Sequence, residues 1–370
     1  MAIFGQGCSS YSLDEPLDRE TLDLALADRG VDPGRVVMPY ALREDMAKWA
    51  RETVEGEVLG LEKLQALSDR LLDPDELPID YVWGYTGTAK EVFDQREANC
   101  LAFTNLFVGM ARAVDVPVYF MAVDNVESFR KEGDLVIVSD HVAVGFGGPG
   151  ERKVFDFSEE RDGDLRFVRR LSDLTAIAMF HSNRGAEALQ RGRIDEALLW
   201  LRVAVQIDDR LMNAWVNLGV AERRIGRYVE AEAAYKRALV LDPRGVSAFQ
   251  NLASLLRYQG RMEEAEAYEE ILGSAQSQNP FTYLSLGDLS LQGGRFDEAR
   301  RFYRRAVNLS SGAEAYAALG QAAAAAGDLR QARRHLRKAL RADETNPRAA
   351  ALRQLLQRPS GAGEDAATPN

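Results

Sequence analysis

Apolar residues recur every three or four positions through two early segments, 38–53 and 58–72, with polar residues between them. This spacing places the apolar side chains on one face of a helix and predicts two amphipathic helices. Residues 100–114 are apolar or small and contain no proline, which predicts a third, buried helix. Three further segments are rich in β-branched and aromatic residues and are separated by glycine-containing turns, which predicts strands. These segments are 116–126, 135–146 and 153–157.

The second half of the chain repeats itself. A small alanine recurs at intervals of 34, 34, 34 and 33 residues: Ala197, Ala231, Ala265, Ala299 and Ala332. A glycine stands five positions before each alanine: Gly192, Gly226, Gly260, Gly294 and Gly327. Since glycine readily ends a helix in a left-handed conformation, each unit predicts two antiparallel helices joined at this glycine.

The period and its small residues resemble the tetratricopeptide repeat over residues 178–347. The resemblance implies five helix pairs that stack into an all-α solenoid, whose concave face binds a protein or peptide partner. Residues 349–357 predict a capping helix. The tail that follows is rich in Gly, Ala, Ser and Pro, a composition typical of disorder.

Composition and charge narrow the possible functions. The chain has 370 residues and a net charge of −11, which argues against a nucleic-acid partner. The first 177 residues carry 34 acidic and 19 basic residues, whereas the rest has a net charge of +4. This difference indicates either two units of different origin or chance variation between two soluble domains. Two cysteines cannot build a disulfide framework, and together with three histidines they leave little for a zinc cluster. No apolar run is long enough to predict a transmembrane span.

The segment Gly7-Cys8-Ser9-Ser10 resembles the end of a bacterial lipoprotein cleavage site, but the apolar segment that should precede it is missing. In one interpretation the true start lies upstream, Cys8 carries a lipid anchor and the protein is periplasmic. In the other, Cys8 is an ordinary residue of a loose terminus and the protein is cytoplasmic. The sequence leaves both open.

Cys100 lies at the predicted start of the buried helix. Unpaired N–H groups and the positive end of a helix dipole stabilise a thiolate there, and the same N–H groups can hold an oxyanion. A free buried cysteine is more often a small apolar residue, so this position alone is weak evidence for catalysis.

His141 and Asp156 strengthen that hypothesis. The Gly-Pro-Gly turn between their predicted strands favours an antiparallel pair, with both side chains on one face. His141 would then accept the thiol proton and Asp156 would orient the imidazole. Asp140 is the rival orienting acid, but neighbouring strand residues point to opposite faces. The alternative is that His141 and Asp156 serve only at a strand end and a turn.

These residues resemble a known family. Arg96 to Cys100 with the helix after it, Asp140-His141-Val142, and Val154 to Phe157 are similar to the transglutaminase-like domain of the papain-like cysteine fold, over roughly residues 73–158. The resemblance implies an α+β domain with the catalytic triad Cys100, His141 and Asp156. Many members have an aromatic residue soon after the histidine and proline after the aspartate, where this chain has Ala143 and Phe157. Gln95 and Asn99 are the nearest amides that could form an oxyanion hole.

We therefore expect an N-terminal extension (1–37), a transglutaminase-like domain (38–175), five repeats (178–347), and a capping helix with a disordered tail (348–370). The predicted activity is that of a cysteine hydrolase or acyltransferase acting on an amide or peptide carbonyl, with no metal or organic cofactor. The repeats would recruit a protein partner or substrate. The alternative is a non-catalytic scaffold that carries an inactive transglutaminase-like domain.

The remaining histidines fall in the repeats. His181 occupies the position that is aromatic in most of the other units, so we expect it to pack in the core. His335 lies among Arg333, Arg334 and Arg337, which together with Lys338 and Arg341 predict a basic helix face. That face either attracts an acidic partner or is ordinary solvated charge.

Overall fold

The computed structural model describes residues 16–82, 84–132, 135–148, 151–157, 168–243, 245–274 and 280–357. These residues belong to two compact units, Met1–Pro243 and Arg244–Asn370. The first unit contains the N-terminal region together with the first two repeats. Cys8 and the tail from residue 358 lie outside the described residues.

From residue 16 onwards, the described chain has five α-helices before the main sheet: α1 (Arg19–Ala27), α2 (Glu44–Thr53), α3 (Gly60–Leu72), α4 (Ala89–Gln95) and α5 (Cys100–Ala113). Helix α5 is the central one, since every residue from Leu101 to Ala111 is buried. Helix α2 begins six residues later than its apolar pattern predicts. Met38 precedes a proline, which disfavours helical geometry, and the Pro39 carbonyl instead accepts a hydrogen bond from Ala89 N–H.

Among the described residues, six strands form two sheets: β1 (Asp80–Tyr81), β2 (Glu97–Ala98), β3 (Tyr119–Glu132), β4 (Leu135–Phe146), β5 (Lys153–Phe155) and β6 (Val168–Arg170). Strands β1 and β2 are a short parallel pair, and the other four have the order β5-β4-β3-β6. Strands β4 and β5 are antiparallel, which confirms the pairing that the Gly-Pro-Gly turn predicts. Strand β3 begins later and runs further than predicted, because it pairs with β4 as far as Glu132 and Leu135.

Helix α5 packs against the sheet to form the main core of the first unit. Phe107 and Leu106 contribute from the helix, and Phe120, Val142 and Val144 contribute from β3 and β4. A second core lies under α1 and joins it to the first helix of the repeats. The N-terminal region and the start of the repeats therefore share apolar cores.

The repeats form helix pairs, as predicted. In the first unit these are α6 (Asp173–Gln190) with α7 (Ile194–Ile207) and α8 (Met212–Arg224) with α9 (Tyr228–Leu241). In the second unit they are α10 (Val246–Tyr258) with α11 (Met262–Ser274), α12 (Pro280–Gln292) with α13 (Phe296–Leu309), and α14 (Ala313–Ala325) with α15 (Leu329–Ala342). Helix α16 (Pro347–Gln357) packs on α14 and α15 as a cap.

The recurring glycines and alanines explain this geometry. All five predicted turn glycines have a positive φ, from 70° at Gly192 to 80° at Gly327, so each ends a helix in the left-handed conformation. The five recurring alanines have no exposed surface, which allows the two helices of a pair to approach closely. The sequence is periodic because every repeat needs the same backbone conformation at its turn glycine and the same close packing at its alanine.

Candidate functional site

Cys100 is the first residue of α5, as the sequence predicts. The Asn99 side chain caps this helix, since its Oδ1 accepts a hydrogen bond from Ala102 N–H at 2.9 Å. Cys100 is partly exposed whereas Leu101 is fully buried. Cys100 therefore lies at the N-terminus of a buried helix and is itself partly exposed.

A loop before α4 holds Asn99 in place. Asn99 Nδ2 donates to Thr86 Oγ1 at 2.7 Å, and Asn99 N–H donates to the Tyr85 carbonyl at 3.1 Å. Both ends of the Asn99 amide are thus used in capping and loop contacts, which disfavours it as an oxyanion-hole group. Gln95, the other candidate, is exposed at the end of α4.

Helix α6, the first helix of the repeats, holds that loop from the other side. Glu187 accepts a hydrogen bond from Thr86 N–H at 2.5 Å, and Arg184 donates to the Thr86 carbonyl at 3.2 Å. Arg191 donates to the Gly84 carbonyl at 3.1 Å. Burial of Glu187 raises the pKa of its carboxyl. The first repeat therefore supports the residues that precede Cys100.

The backbone turns sharply just before this site. Arg96 has φ 63° and ψ 28°, a left-handed conformation that is uncommon for residues other than glycine. It ends α4 and leads into β2, whose last residue is followed by Asn99 and Cys100. Strained backbone of this kind concentrates at functional sites and in tight turns.

His141 lies in β4 at an interruption of the sheet. The ladder between β3 and β4 shifts register between Ala122, which pairs with Val142, and Glu127, which pairs with Asp140. Bulges of this kind re-aim side chains and are frequent near active sites. A bulge also interrupts the alternation of side chains between the two faces of a strand. The argument from alternation against Asp140 as the orienting acid is therefore weaker here. The side chains of Asp140 and His141 lie outside the described residues.

Asp156 follows β5 and is partly exposed. Its neighbour Phe157 stacks on Phe103 of α5 with ring centroids 4.4 Å apart. Thr104, also on α5, donates to the carbonyl of Val142 at 3.2 Å. Val142, the neighbour of His141, and Phe157, the neighbour of Asp156, therefore both contact the N-terminal half of α5, the helix that begins at Cys100. The alignment of the three side chains stays a prediction.

His181 packs in the core, as its position in the repeat predicts. Its Nδ1–H donates to the Ile177 carbonyl at 2.9 Å, and its Nε2 accepts from Val37 N–H at 3.3 Å. Burial lowers the pKa of His181 to about 4. The ring is therefore neutral and structural near neutral pH.

Four tetratricopeptide repeat models match the chain, over residues 178–202, 213–244, 251–315 and 313–346. The chain therefore carries tetratricopeptide repeats across 178–346, which confirms the resemblance in its second half. No curated protein matches the chain. No helix in the described part of the chain is both long enough and apolar enough to span a membrane.

Several solved structures are similar to parts of the chain. A structure of MamA from Desulfovibrio magneticus RS-1 is 20% identical, covers 46% of this chain and 97% of its own, and has a TM-score of 0.34. TTC0263, a tetratricopeptide protein of Thermus thermophilus, is 21% identical with coverages of 46% and 95% and a TM-score of 0.41. The pilF protein of Pseudomonas aeruginosa is 24% identical with coverages of 46% and 79% and a TM-score of 0.37.

Proposed function

We propose that the chain is an adaptor whose tetratricopeptide repeats bind a protein partner. The observation that carries this proposal is the run of helix pairs across 178–346, which four repeat models match. Stacked repeats of this kind present extended surfaces that suit binding of a peptide or a helix.

The first two repeats already have a partner within the chain. Strand β4 lies against α6 and α8, which are the first helices of these repeats. Arg112 of α5 forms a bidentate ion pair with Asp173 of α6 at 2.8 Å, in a mostly buried position. The first two repeats therefore serve to hold the N-terminal domain, and we assign the partner to the repeats of the second unit.

An apolar row in the second unit favours this assignment. Met262, Phe296 and Leu329 each begin the second helix of a repeat, at equivalent positions 34 and 33 residues apart. Their exposed fractions are 49%, 36% and 44%. The three side chains stand on successive repeats, where a partner that runs along the array would meet each of them in turn.

Site-specific photo-crosslinking in cells tests the adaptor function. A photoreactive amino acid replaces Phe296 or Leu329 in the full chain, and the matched control replaces Val58, which is 84% exposed in the N-terminal region. The proposal expects one and the same protein to crosslink from Phe296 and Leu329 but not from Val58. The absence of any crosslink from the two repeat positions, or equal yield from Val58, would contradict it.

A second candidate function is cysteine chemistry in a transglutaminase-like N-terminal domain. The observation that favours it is the position of Cys100 at the capped start of α5, beside the chain that carries His141 and Asp156. In this reaction the Cys100 thiolate attacks an amide carbonyl and forms a thioester. The C–N bond breaks and the amine leaves with the proton that His141 took from the thiol. Water or a second amine then releases the acyl group.

Alkylation kinetics decide between this candidate and an adaptor without turnover. The alkylation rate of Cys100 by iodoacetamide at about pH 6 is compared with that of glutathione, because an ordinary thiol is almost fully protonated there. An active triad predicts faster alkylation of Cys100, which His141→Ala abolishes and the control His335→Ala leaves unchanged. Equal rates for Cys100 and glutathione would leave only the adaptor function.

A further inference from the structure

Helices α13 and α15 present an exposed surface composed of basic residues. Nine exposed cations belong to it, and we call them the basic surface: Arg301, Arg304, Arg305, Arg330, Arg333, Arg334, Arg337, Lys338 and Arg341. The opposite sides of both helices are buried, through Tyr303 and Ala306 in α13 and through Leu336 and Ala339 in α15. The helical period therefore directs these cations to solvent.

The cations of the basic surface are not neutralised by neighbours. Within the residues that the structure describes, none of the nine forms an ion pair with a carboxylate, although Arg300 beside them pairs with Asp297. Arg305 and Lys338 lie over the rings of Tyr283 and Tyr316, at 4.5 and 5.0 Å from the centroids. A cation over an aromatic ring keeps its charge and stays available to an anion.

On other repeat helices, basic residues form ion pairs with nearby acidic residues. On α9, Lys236 pairs with Glu232 and Arg237 pairs with Asp209, at 2.7 and 2.8 Å. On α7, Arg202 pairs with Glu222 at 2.9 Å. Ordinary solvated charge in this array is thus balanced locally, and the basic surface departs from that pattern.

The two helices contribute to one positive field. Burial lowers the pKa of His335 on α15, and the charges of Lys338 and Arg334 on the same helix and Arg304 on α13 lower it further. Helices α13 and α15 both pack against α14, so they belong to neighbouring helix pairs. Clustered charges of one sign raise the local concentration of an oppositely charged partner far more than isolated charges do.

The chemistry of the surface favours carboxylates on a protein segment. Eight of the nine cations are arginines, whose planar guanidinium binds a carboxylate through two hydrogen bonds. The net charge of −11 opposes the approach of long polyanions such as nucleic acid, whereas a short acidic peptide responds mainly to the local field. Arg330 and Arg341 lie about 16 Å apart along the helix axis, which matches about five residues of extended peptide.

We propose that the basic surface of α13 and α15 is a docking site for an acidic segment of a partner protein. This assignment does not depend on the chemistry of Cys100. The basic surface lies on the second helices of the last two repeats and contains none of the residues of the apolar row.

Fluorescence anisotropy with a labelled octaglutamate peptide tests the proposal on the full chain at about 150 mM salt. The charge reversals Arg333→Glu and Arg337→Glu are made together, and Lys236→Glu with Arg237→Glu is the control with the same change in charge. Circular dichroism checks that both variants fold. Binding of a single-stranded DNA with the same charge as octaglutamate and binding of an octaglutamine peptide are measured in the same way.

The proposal expects octaglutamate to bind at least roughly tenfold more tightly than octaglutamine, with affinity falling as salt rises. The Arg333/Arg337 variant should lose roughly tenfold or more of that affinity, and the control should retain most of it. Tighter binding of the DNA than of octaglutamate would overturn the proposal. Equal loss in both variants would overturn it as well, since the attraction would then reflect total charge. Self-association of the chain that only the Arg333/Arg337 variant abolishes, without binding of octaglutamate, would assign the surface to a second copy instead.

Discussion

The carboxylate of Glu187 accepts a hydrogen bond from the backbone N–H of Thr86, 101 residues earlier in the chain. Thr86 in turn bonds the side chain of Asn99, which caps the helix that begins at Cys100. The first repeat helix is therefore part of the structure that positions Cys100, and the first unit cannot be divided into an independent domain and independent repeats.

Replacement of Glu187 tests this connection. Glu187→Ala leaves the buried Thr86 N–H without its acceptor, which costs about 1–3 kcal/mol in the free energy of unfolding. Glu187→Gln retains an acceptor oxygen and removes a buried charge, so it should cost less. Hydrogen exchange at Thr86 and Ala102 measures the effect, and Glu230→Ala on the exposed side of α9 is the control. Unchanged exchange in Glu187→Ala would contradict the connection.

The ion pair between Arg112 and Asp173 joins α5 to α6. Asp173 also accepts a hydrogen bond from Leu17 N–H at 3.0 Å and is only 3% exposed. Removal of one partner strands a buried charge, so Arg112→Met should destabilise the first unit by about 3–5 kcal/mol. Urea unfolding measures this change.

A double-mutant cycle isolates the pairing energy. The double variant Arg112→Met with Asp173→Leu should recover part of the loss, because no buried charge is left alone. The exposed pair Lys48–Glu52 serves as the control and should show a coupling of about 0.5 kcal/mol or less. A coupling between Arg112 and Asp173 as small as that of the control would refute the structural role of the pair.

The buried His181 predicts a pH dependence. Its pKa in the folded protein is about 4, against an ordinary value of 6.5, so the unfolded chain binds more protons between these values. Its contribution to stability is therefore complete above about pH 6.5 and declines as the pH falls towards 4, by about 3 kcal/mol in total.

His181→Phe keeps an aromatic ring at this position and removes the titration. The difference in unfolding free energy between wild type and variant, measured by urea unfolding, should move in favour of the variant as the pH drops from 7 to 4. His335→Phe should give a smaller shift, because His335 is only half-buried. A difference for His181→Phe that stays constant across this range would show that His181 is not buried in neutral form.

Arg348 attaches the capping helix α16 to the second unit. It donates to Asp288 of α12 at 2.5 Å, to the Tyr303 hydroxyl at 3.1 Å and to Gln321 at 2.7 Å. Arg348→Ala removes the guanidinium that pairs with the buried Asp288 carboxylate and should lower the free energy of unfolding by about 3 kcal/mol or more. Hydrogen exchange in α16 should rise strongly. Arg353→Ala, on the exposed face of the same helix, should leave exchange unchanged, and equal effects of the two variants would contradict this role.

The repeats could be predicted from the sequence because their requirements are local and recur. Gly192 and Gly226 need a positive φ, and Ala197 and Ala231 need close packing, so both leave a periodic trace in the sequence. The N-terminal domain depends on contacts between distant segments. No short pattern predicts that Glu187 meets Thr86, although an acid between Ala186 and Ala188 on a buried helix is an unusual residue that marks a partner.

The secondary structure around the candidate site could be predicted in part from the sequence, whereas its contacts could not. The start of a helix at Cys100 and the antiparallel pairing of β4 with β5 follow from local patterns, and the structure has both. The predicted strand 153–157 is too long, because β5 ends at Phe155 and leaves Asp156 just outside it. The register shift opposite His141 does not follow from them, because bulges arise from the fit between two strands. The hydrogen bond from the Asn99 amide to Thr86 could not be predicted from the sequence either, because it depends on a loop that α6 holds in place.

The most direct test of the adaptor function is crosslinking mass spectrometry of complexes captured from cells with the wild-type chain and with Cys100→Ala. The adaptor account predicts that both chains hold the same partner and that the crosslinks to it map to the repeats of the second unit, within residues 246–342. A protein held only by Cys100→Ala, crosslinked near the N-terminal domain and cleaved or acylated by the wild-type chain, would contradict that account and establish an enzyme.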